Sequence, residues 1–336
     1  MRINQQLLNL AVVGWLGLAS FASAKDANPC LGRWALTLPN GGAGWLGLVE
    51  EDGELKGSIL WGGGSVKPLD SIAIDGDSIR MTRIHKSRGK AADGSPGPWQ
   101  EVTETLSGSL TGDAMKLLQV MPKKGGQGLI REAFSATRLP PIPAKPDLAH
   151  VTRGEPVQLF NGKDLAGWRL IHPSHKNGWS ARDGVLVNRP EPGQKGYGNL
   201  RTEAEFEDFN LKLDILVPEK SNSGIFLRGM YEVQVLDSHG RAPDSHHMGA
   251  IYSRITPSQA VEKSHGVWQE MEITLFQQHV TVILNGVTII DNEPLLGCTG
   301  GALSADPSRP GPILLQGNHG GVEYRNIVLT PLESEE

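Results

Sequence analysis

The chain is expected to be all-β, in two successive strand-rich units. Two observations predict this. Apolar and polar residues alternate in short runs rather than at helical spacing. Forty-two glycines and 22 prolines punctuate those runs with turn signals such as Asp-Gly, Gly-Asp and Asn-Gly.

The first 24 residues stand apart from the fold. Met1-Arg2 supplies a positive start, Leu7 to Phe21 is mostly apolar, and Ala22-Ser23-Ala24 is a small-x-small cleavage pattern. That order predicts a signal peptide, so the chain is expected to be exported, periplasmic or secreted. No other stretch approaches the length of a membrane span. A net charge of -5 without a basic stripe argues against a nucleic-acid partner. Two cysteines, Cys30 and Cys298, are too few for a disulfide framework or a cysteine metal site, although the two could pair with each other.

Residues 25–139 read as the first unit. "GRWALTL", "GWLGLVEEDGELKGSILWGGG", "SIAIDGDSIRMTRI" and "ETLSGSLTGDAMKLLQVM" alternate around tight turns, as in a meander that closes into a small barrel. With its Gly-x-Trp opening (Gly32, Trp34) and its closing "FSATRLP", this unit resembles the lipocalin-like barrels. Residues 140–155 follow as a Pro-rich spacer with Pro140, Pro141, Pro143 and Pro146.

Residues 156–333 form the second unit. "FNLKLDILV" sets Leu211, Leu213, Ile215 and Val217 against Lys212 and Asp214, the pattern of a half-buried strand. Val280, Val282 and Leu284 lead through Asn285-Gly286 into Val287 and Ile289, a hairpin signal. With the closing "GPILLQGNHGGVEYRNIVL", the pattern predicts a two-sheet sandwich of jelly-roll type.

The chemistry-bearing residues cluster in this unit. In "SNSGIFLRGMYEVQVLDSHG", a Gly-Met-Tyr turn separates two strands. Alternation sends Tyr231, Val233 and Val235 to the core and leaves Glu232 and Gln234 on the opposite face, with Arg228 on the first strand and Asn222 at its start. Asp237 points inward under strict alternation. Next, "DSHGRAPDSHHMGAIY" gathers Asp237, His239, Asp244, His246 and His247. Such a cluster suits a metal site or a general base, and its spacing matches no standard zinc signature. A third cluster holds Gln316, His319, Glu323 and Arg325, with glycines flanking His319. No nucleotide fingerprint, phosphate-cradling loop or nucleophile elbow occurs, so no nucleotide cofactor is expected.

In order, "VQLFNGKDLAGWRL", "GNLRTEAEFEDFNLKLDI", "SNSGIFLRG", "YEVQVLDS", "GAIY", "WQEMEITL", "VILNGV" and "GPILLQGNHGGVEYRNIVL" resemble the 3-keto-disaccharide hydrolase family over about residues 156–330. The resemblance implies a concanavalin-like jelly roll. It also implies elimination across C1–C2 of a 3-keto-glucoside, hydration of 3-keto-2-hydroxyglucal, or both, for net glycoside hydrolysis. Such a site needs a base, an acid and an electrophile for the enolate oxygen. His247, Glu232 and Asp237 are the candidate catalytic residues. Arg228, Gln234, Gln316, His319, Arg325 and Asn222 are candidates for holding the sugar. By resemblance a divalent metal ion is a candidate electrophile, with Glu232, Asp237 and His247 as candidate ligands. Trp168 and Trp179 could stack on a sugar ring or fill the core. The competing expectation is a non-catalytic carbohydrate-binding or adhesion sandwich, which would need an aromatic platform; Phe, Trp and Tyr make up only 6% of the chain.

Overall fold

The computed structural model describes residues 28–90, 95–123 and 128–334. The leader-like segment 1–24 lies outside them. Every regular element among the described residues is a strand. None is a helix long and apolar enough to cross a membrane.

The first unit comprises β1 (Gly32–Thr37), β2 (Ala43–Glu51), β3 (Glu54–Leu60), β4 (Lys67–Pro68), β5 (Ser71–Asp75), β6 (Ser78–Lys90), β7 (Pro96–Thr111), β8 (Ala114–Pro122) and β9 (Leu129–Arg138). They form one antiparallel nine-stranded sheet in the order β4-β3-β2-β1-β9-β8-β7-β6-β5. Where a closed lipocalin-like barrel was expected, the end strands β4 and β5 share no ladder. The link between them draws the edges together instead. Leu69 donates its N–H to Gly57 on β3, and Asp70 donates to Thr82 on β6, each at 2.9 Å. Trp34, Leu46, Leu48, Met81, Leu106 and Met115 fill the inside of the curled sheet.

The second unit begins with β10 (Val151–Arg153), β11 (Val157–Gln158), β12 (Trp168–Leu170), β13 (Trp179–Arg182), β14 (Val185–Asn188), β15 (Leu200–Thr202) and β16 (Phe209–Leu216). It continues with β17 (Asn222–Leu227), β18 (Tyr231–Leu236), β19 (Trp268–Phe276), β20 (His279–Leu284), β21 (Val287–Pro294), β22 (Leu314–Leu315) and β23 (Val322–Ser334). One sheet runs β13-β14-β23-β16-β19-β20-β21, with β10 and β11 also on β23; the other runs β12-β15-β22-β17-β18.

The two sheets bury one face each against the other. Leu211, Leu213 and Ile215 meet Met271, Ile273, Val282 and Tyr324 on the larger sheet, and Ile225, Leu227, Tyr231, Val233, Val235 and Leu315 on the smaller. Removing such surface from water at about 25 cal/mol per Å² is the main term favouring this packing. The expected Asn285-Gly286 turn is present, with φ of +52° and +79° joining Leu284 to Val287. Both positive φ values suit a two-residue hairpin, where Asn and Gly tolerate the left-handed region.

The turn between β17 and β18 differs from the sequence expectation. Arg228 and Gly229, not Gly-Met-Tyr, occupy its corners, with φ of +55° and +61°. Met230 donates its N–H to Leu227 at 2.9 Å to close it. Arg228 is thereby a turn residue rather than a member of a strand face.

Candidate active site

The site is built on the free face of the smaller sheet. Asn222 pairs with Leu236, Gly224 with Gln234 and Phe226 with Glu232 across β17 and β18. Directly paired residues share a face, so Asn222, Gly224, Gln234, Phe226 and Glu232 all leave the core side. On the other flank of β17, Phe226 pairs with Leu314, and Gln316 donates its backbone N–H to Gly224 at 2.9 Å. The alternation of Val233 and Val235 inward is what turns Glu232 and Gln234 outward, as expected from the sequence.

Glu232 is the centre of this face. It is buried, and the loss of water pushes its carboxyl up to about 8. The Gln316 side-chain amide approaches its Oε1 at 3.4 Å. Beneath the carboxylate lies Gly224, where a Cβ would come within 2.8 Å of the Glu232 Cγ. Gly224 thus makes the room for the acid, a role announced in the sequence only by a glycine inside a strand. Gln234 is buried beside it; its amide donates to Asn222 Oδ1 at 3.4 Å, while its own Oε1 has no protein partner. A buried amide oxygen without a donor is an acceptor in search of a hydroxyl. Asn222 and Gln316 are only half-buried, so the face opens at their end.

The main chain of Glu232 is held on both sides. Its N–H donates to Thr299 Oγ1 at 2.8 Å, and its carbonyl accepts the Tyr252 N–H at 2.9 Å. Behind it in the core, Tyr324 shares a hydrogen bond with Ser223 Oγ at 3.1 Å. Burial raises the Tyr324 hydroxyl, and the Glu232 charge raises it further. Thr299, Ser223 and Tyr324 were not singled out from the sequence, because they lie on separate strands and loops and carry no shared motif.

The histidine loop is distributed among other duties. His247 is buried with Nε2 at 2.8 Å from Glu262 Oε1, and the Ser238 hydroxyl donates to that same oxygen at 3.0 Å. The His247–Glu262 contact is a close approach without hydrogen-bond alignment, since Nε2 has no aligned partner. Asp237 caps the turn before β17, its Oδ2 accepting the Lys220 N–H at 2.7 Å. His246 Nε2 meets Ser65 Oγ at 2.8 Å, and Asp244 Oδ1 accepts the His246 N–H at 2.8 Å. Glu232, Asp237 and His247 therefore go to three separate sets of partners. Among the described residues no group of three or more His, Cys, Asp or Glu is gathered to hold a metal. The proposed metal triad does not fit this donor arrangement.

The sugar-holding candidates also divide. Arg228 turns its guanidinium to the carbonyls of Pro307, at 2.7 Å, and Arg309, and so pins the loop before β22. Arg325 sits on the outer face of the larger sheet, bonded to Asp214 Oδ2 at 2.9 Å and stacked over Trp268 at 4.1 Å. Both corrections have one physical cause: each guanidinium bonds to partners that sequence spacing does not reveal, although the buried Arg228 Nε itself has none. Trp168 and Trp179 are core residues whose indole N–H groups donate to Leu159 and Gly198 carbonyls. His319 is exposed on the turn after β22, with Nδ1 at 2.6 Å from Asn318 Oδ1. The crowding around that turn lowers its imidazole below the usual value. Its neighbour Gly320 packs on Ser221 and Asn222, which brings the turn to the open end of the Glu232 face.

A search of curated proteins gave no match. Three solved structures of "putative glycosyl hydrolase" proteins from Parabacteroides distasonis ATCC 8503 are similar to this chain. One is 29% identical, covering 56% of this chain and 92% of its own, with a TM-score of 0.43. A second is 27% identical, covering 53% of this chain and 100% of its own, with a TM-score of 0.42. The third is 19% identical over 53% of this chain and 94% of its own, with a TM-score of 0.43. Residues 155–330, more than half of the chain, match the family model of the 3-keto-alpha-glucoside-1,2-lyase-like domain, so the chain belongs to that carbohydrate-active family.

Proposed function

We propose that the chain is an enzyme that opens 3-keto-glucosides by elimination across C1–C2 and hydrates the resulting 3-keto-2-hydroxyglucal. The observation that carries this reading is Glu232, a buried carboxyl pushed up to about 8 on the sheet face it shares with Gln234 and Asn222. A carboxyl that keeps its proton near neutral pH can give it away, as a general acid must. A ketone at C3 acidifies the C2–H. When a base removes that proton, the electrons form the C1–C2 double bond and the C1–O bond breaks. Glu232 protonates the departing oxygen. The second half adds water back across C1–C2.

The remaining groups fit subsidiary roles. Gln234 Oε1, buried without a protein donor, suits a sugar hydroxyl. Gln316 and Asn222 line the open end beside it. His319, whose imidazole is lowered below its usual value by loss of water around it, is the candidate base. The concanavalin-like description of the sandwich, the two-domain division at residues 140–155 and export through the leader-like segment ending at Ala24 belong to the same reading.

A non-catalytic binding module is less well supported. Trp168 and Trp179 are buried in the core, and the exposed large aromatic among the described residues, Trp99, belongs to the first sheet. A stacking platform would need such rings on the Glu232 face.

The test is incubation of purified full chain with a 3-keto-α-glucoside, following release of the aglycone and the free 3-keto sugar. Turnover by the unaltered chain, with a loss of about 100-fold or more in Glu232→Gln, is expected. Glycan binding without turnover, or full activity in Glu232→Gln, overturns the assignment.

A further inference from the structure

The clamp on the Glu232 main chain leads out of the second unit. Both of its arms are fastened to the first sheet. On the Thr299 arm, Arg33 Nη1 donates to the Leu296 carbonyl at 3.0 Å, and Gly301 donates its N–H to Gly62 at 3.2 Å. Gly297 lies so close to the Trp45 ring, and Gly300 to the Gly64 backbone, that neither has space for a Cβ. On the Tyr252 arm, Val66 donates its N–H to Ser253 Oγ at 3.0 Å, and Ser65 meets His246 Nε2 at 2.8 Å.

Arg254 joins the two arms. It follows Tyr252 by two residues, donates from Nε to the Cys298 carbonyl at 2.7 Å, and lies over the Trp45 ring at 4.4 Å. Cys298 immediately precedes Thr299. Trp45 belongs to β2 of the first sheet, yet it is buried within the core of the second unit. Burial also lowers the Arg254 guanidinium to about 10, so its partners on both sides are what keep a charge acceptable there.

We infer that the first sheet is a positioning element for the candidate site. It holds Thr299 and Tyr252, through Trp45, Arg254 and the Ser65–Val66 edge, so that Glu232 sits at a fixed height over Gly224. This rests on the reading of Glu232 as the proton donor. None of these residues meets the reacting atoms; they act through the Glu232 backbone. An arrangement of this kind gives the first unit a duty that needs no ligand of its own. It also explains why the loop at 296–301 is glycine-rich, since two of its glycines abut the other unit.

The experiment uses the full chain and reads the clamp directly. Three variants are compared with the unaltered protein: Ser65→Ala with Ser253→Ala, Arg254→Ala, and Arg254→Lys. Amide hydrogen exchange at Glu232 and Tyr252 is measured, along with the carboxyl titration of Glu232 by carbon NMR. The serine pair and Arg254→Ala are expected to speed exchange at both amides about tenfold. They are expected to move the Glu232 midpoint from about 8 toward the ordinary carboxylate range. Arg254→Lys, which keeps a cation over Trp45, is expected to lie between these and the unaltered chain.

If Arg254→Ala does not fold, the serine pair decides alone, because it removes only two hydroxyls. Exchange and midpoint unchanged in the serine pair would overturn the inference. Neither readout requires substrate. A chain inactive on 3-keto-glucosides but with shifted exchange would therefore sink the proposed reaction and leave the coupling standing.

Discussion

The Glu232 carboxylate rests on Gly224 of the neighbouring strand, with the position of a Cβ there occupied by the acid itself. A methyl group at residue 224 must push Glu232 off its seat, because residues 223–227 of the strand are buried and leave the backbone no room to give way. Gly224→Ala is expected to cost roughly 1–3 kcal/mol in stability, the range for overpacking. Its effect on turnover should be larger than stability explains, about 100-fold, since a shift of the order of 1 Å at a reacting group has that consequence. Steady-state kinetics on the folded variant check this. Unchanged kcat would mean that the carboxylate position is not used.

The raised Glu232 also makes a statement about stability and pH. Its carboxyl moves from 4.5, the ordinary value, to about 8 in the fold. Between those values the native chain holds a proton that the unfolded chain has lost. The contribution is fully present below about pH 4.5 and fades as pH rises through 8, with a slope approaching 1.4 kcal/mol per unit. Glu232→Gln removes this dependence. Urea unfolding at a series of pH values should show the unaltered chain losing stability relative to Glu232→Gln across that window, then running parallel above it. A flat difference would show that Glu232 is charged in the fold at neutral pH.

Arg228 is expected to behave as a structural residue. Its guanidinium holds the Pro307 and Arg309 carbonyls, and its removal releases the loop before β22. Arg228→Ala should destabilise the fold by about 2–3 kcal/mol, the scale of charge-assisted hydrogen bonds. Thermal unfolding measures that loss, and the KM for substrate should stay within about threefold of the unaltered value if bound sugar never touches the guanidinium. A large KM increase without destabilisation would return Arg228 to the binding site.

His247 offers a parallel test. Removing the imidazole takes a close neighbour from the buried Glu262 carboxyl and leaves it beside Ser238, so His247→Ala is expected to cost roughly 1–3 kcal/mol. Glu262→Gln should recover part of that loss in the double variant, because a neutral amide tolerates burial without the imidazole better than a carboxyl group does. A double-mutant cycle by denaturant unfolding gives the coupling. Abolished turnover in His247→Ala, with stability unchanged, would instead place the imidazole at the reacting atoms.

Much of this was readable from residue order. Period-two alternation placed Val233 and Val235 inside and Glu232 and Gln234 outside, and Asn285-Gly286 announced its own hairpin. Those are local signals, set by neighbouring residues on one strand. What escaped was set by partners far along the chain. Arg228 and Arg325 looked free because Pro307, Arg309 and Asp214 are invisible at short range. The histidine cluster looked like one site, but the loop sends His247 to Glu262, His246 to Ser65 and Asp237 to the Lys220 amide. Proximity in sequence did not become convergence in space. The barrel expectation shows the same limit: alternation gives the strands of the first unit, but whether β4 and β5 pair depends on how the sheet curls.

The central claim is that the reaction passes through loss of the C2 proton with Glu232 as acid. The most direct measurement is turnover of a 3-keto-α-glucoside in deuterated water, with the early product read by NMR and corrected for exchange of the free 3-keto sugar in buffer. Elimination followed by hydration predicts deuterium at C2 of the product from the first turnovers, with product and label both formed about 100-fold or more slowly in Glu232→Gln. Product formed at full rate with hydrogen retained at C2 would contradict the account.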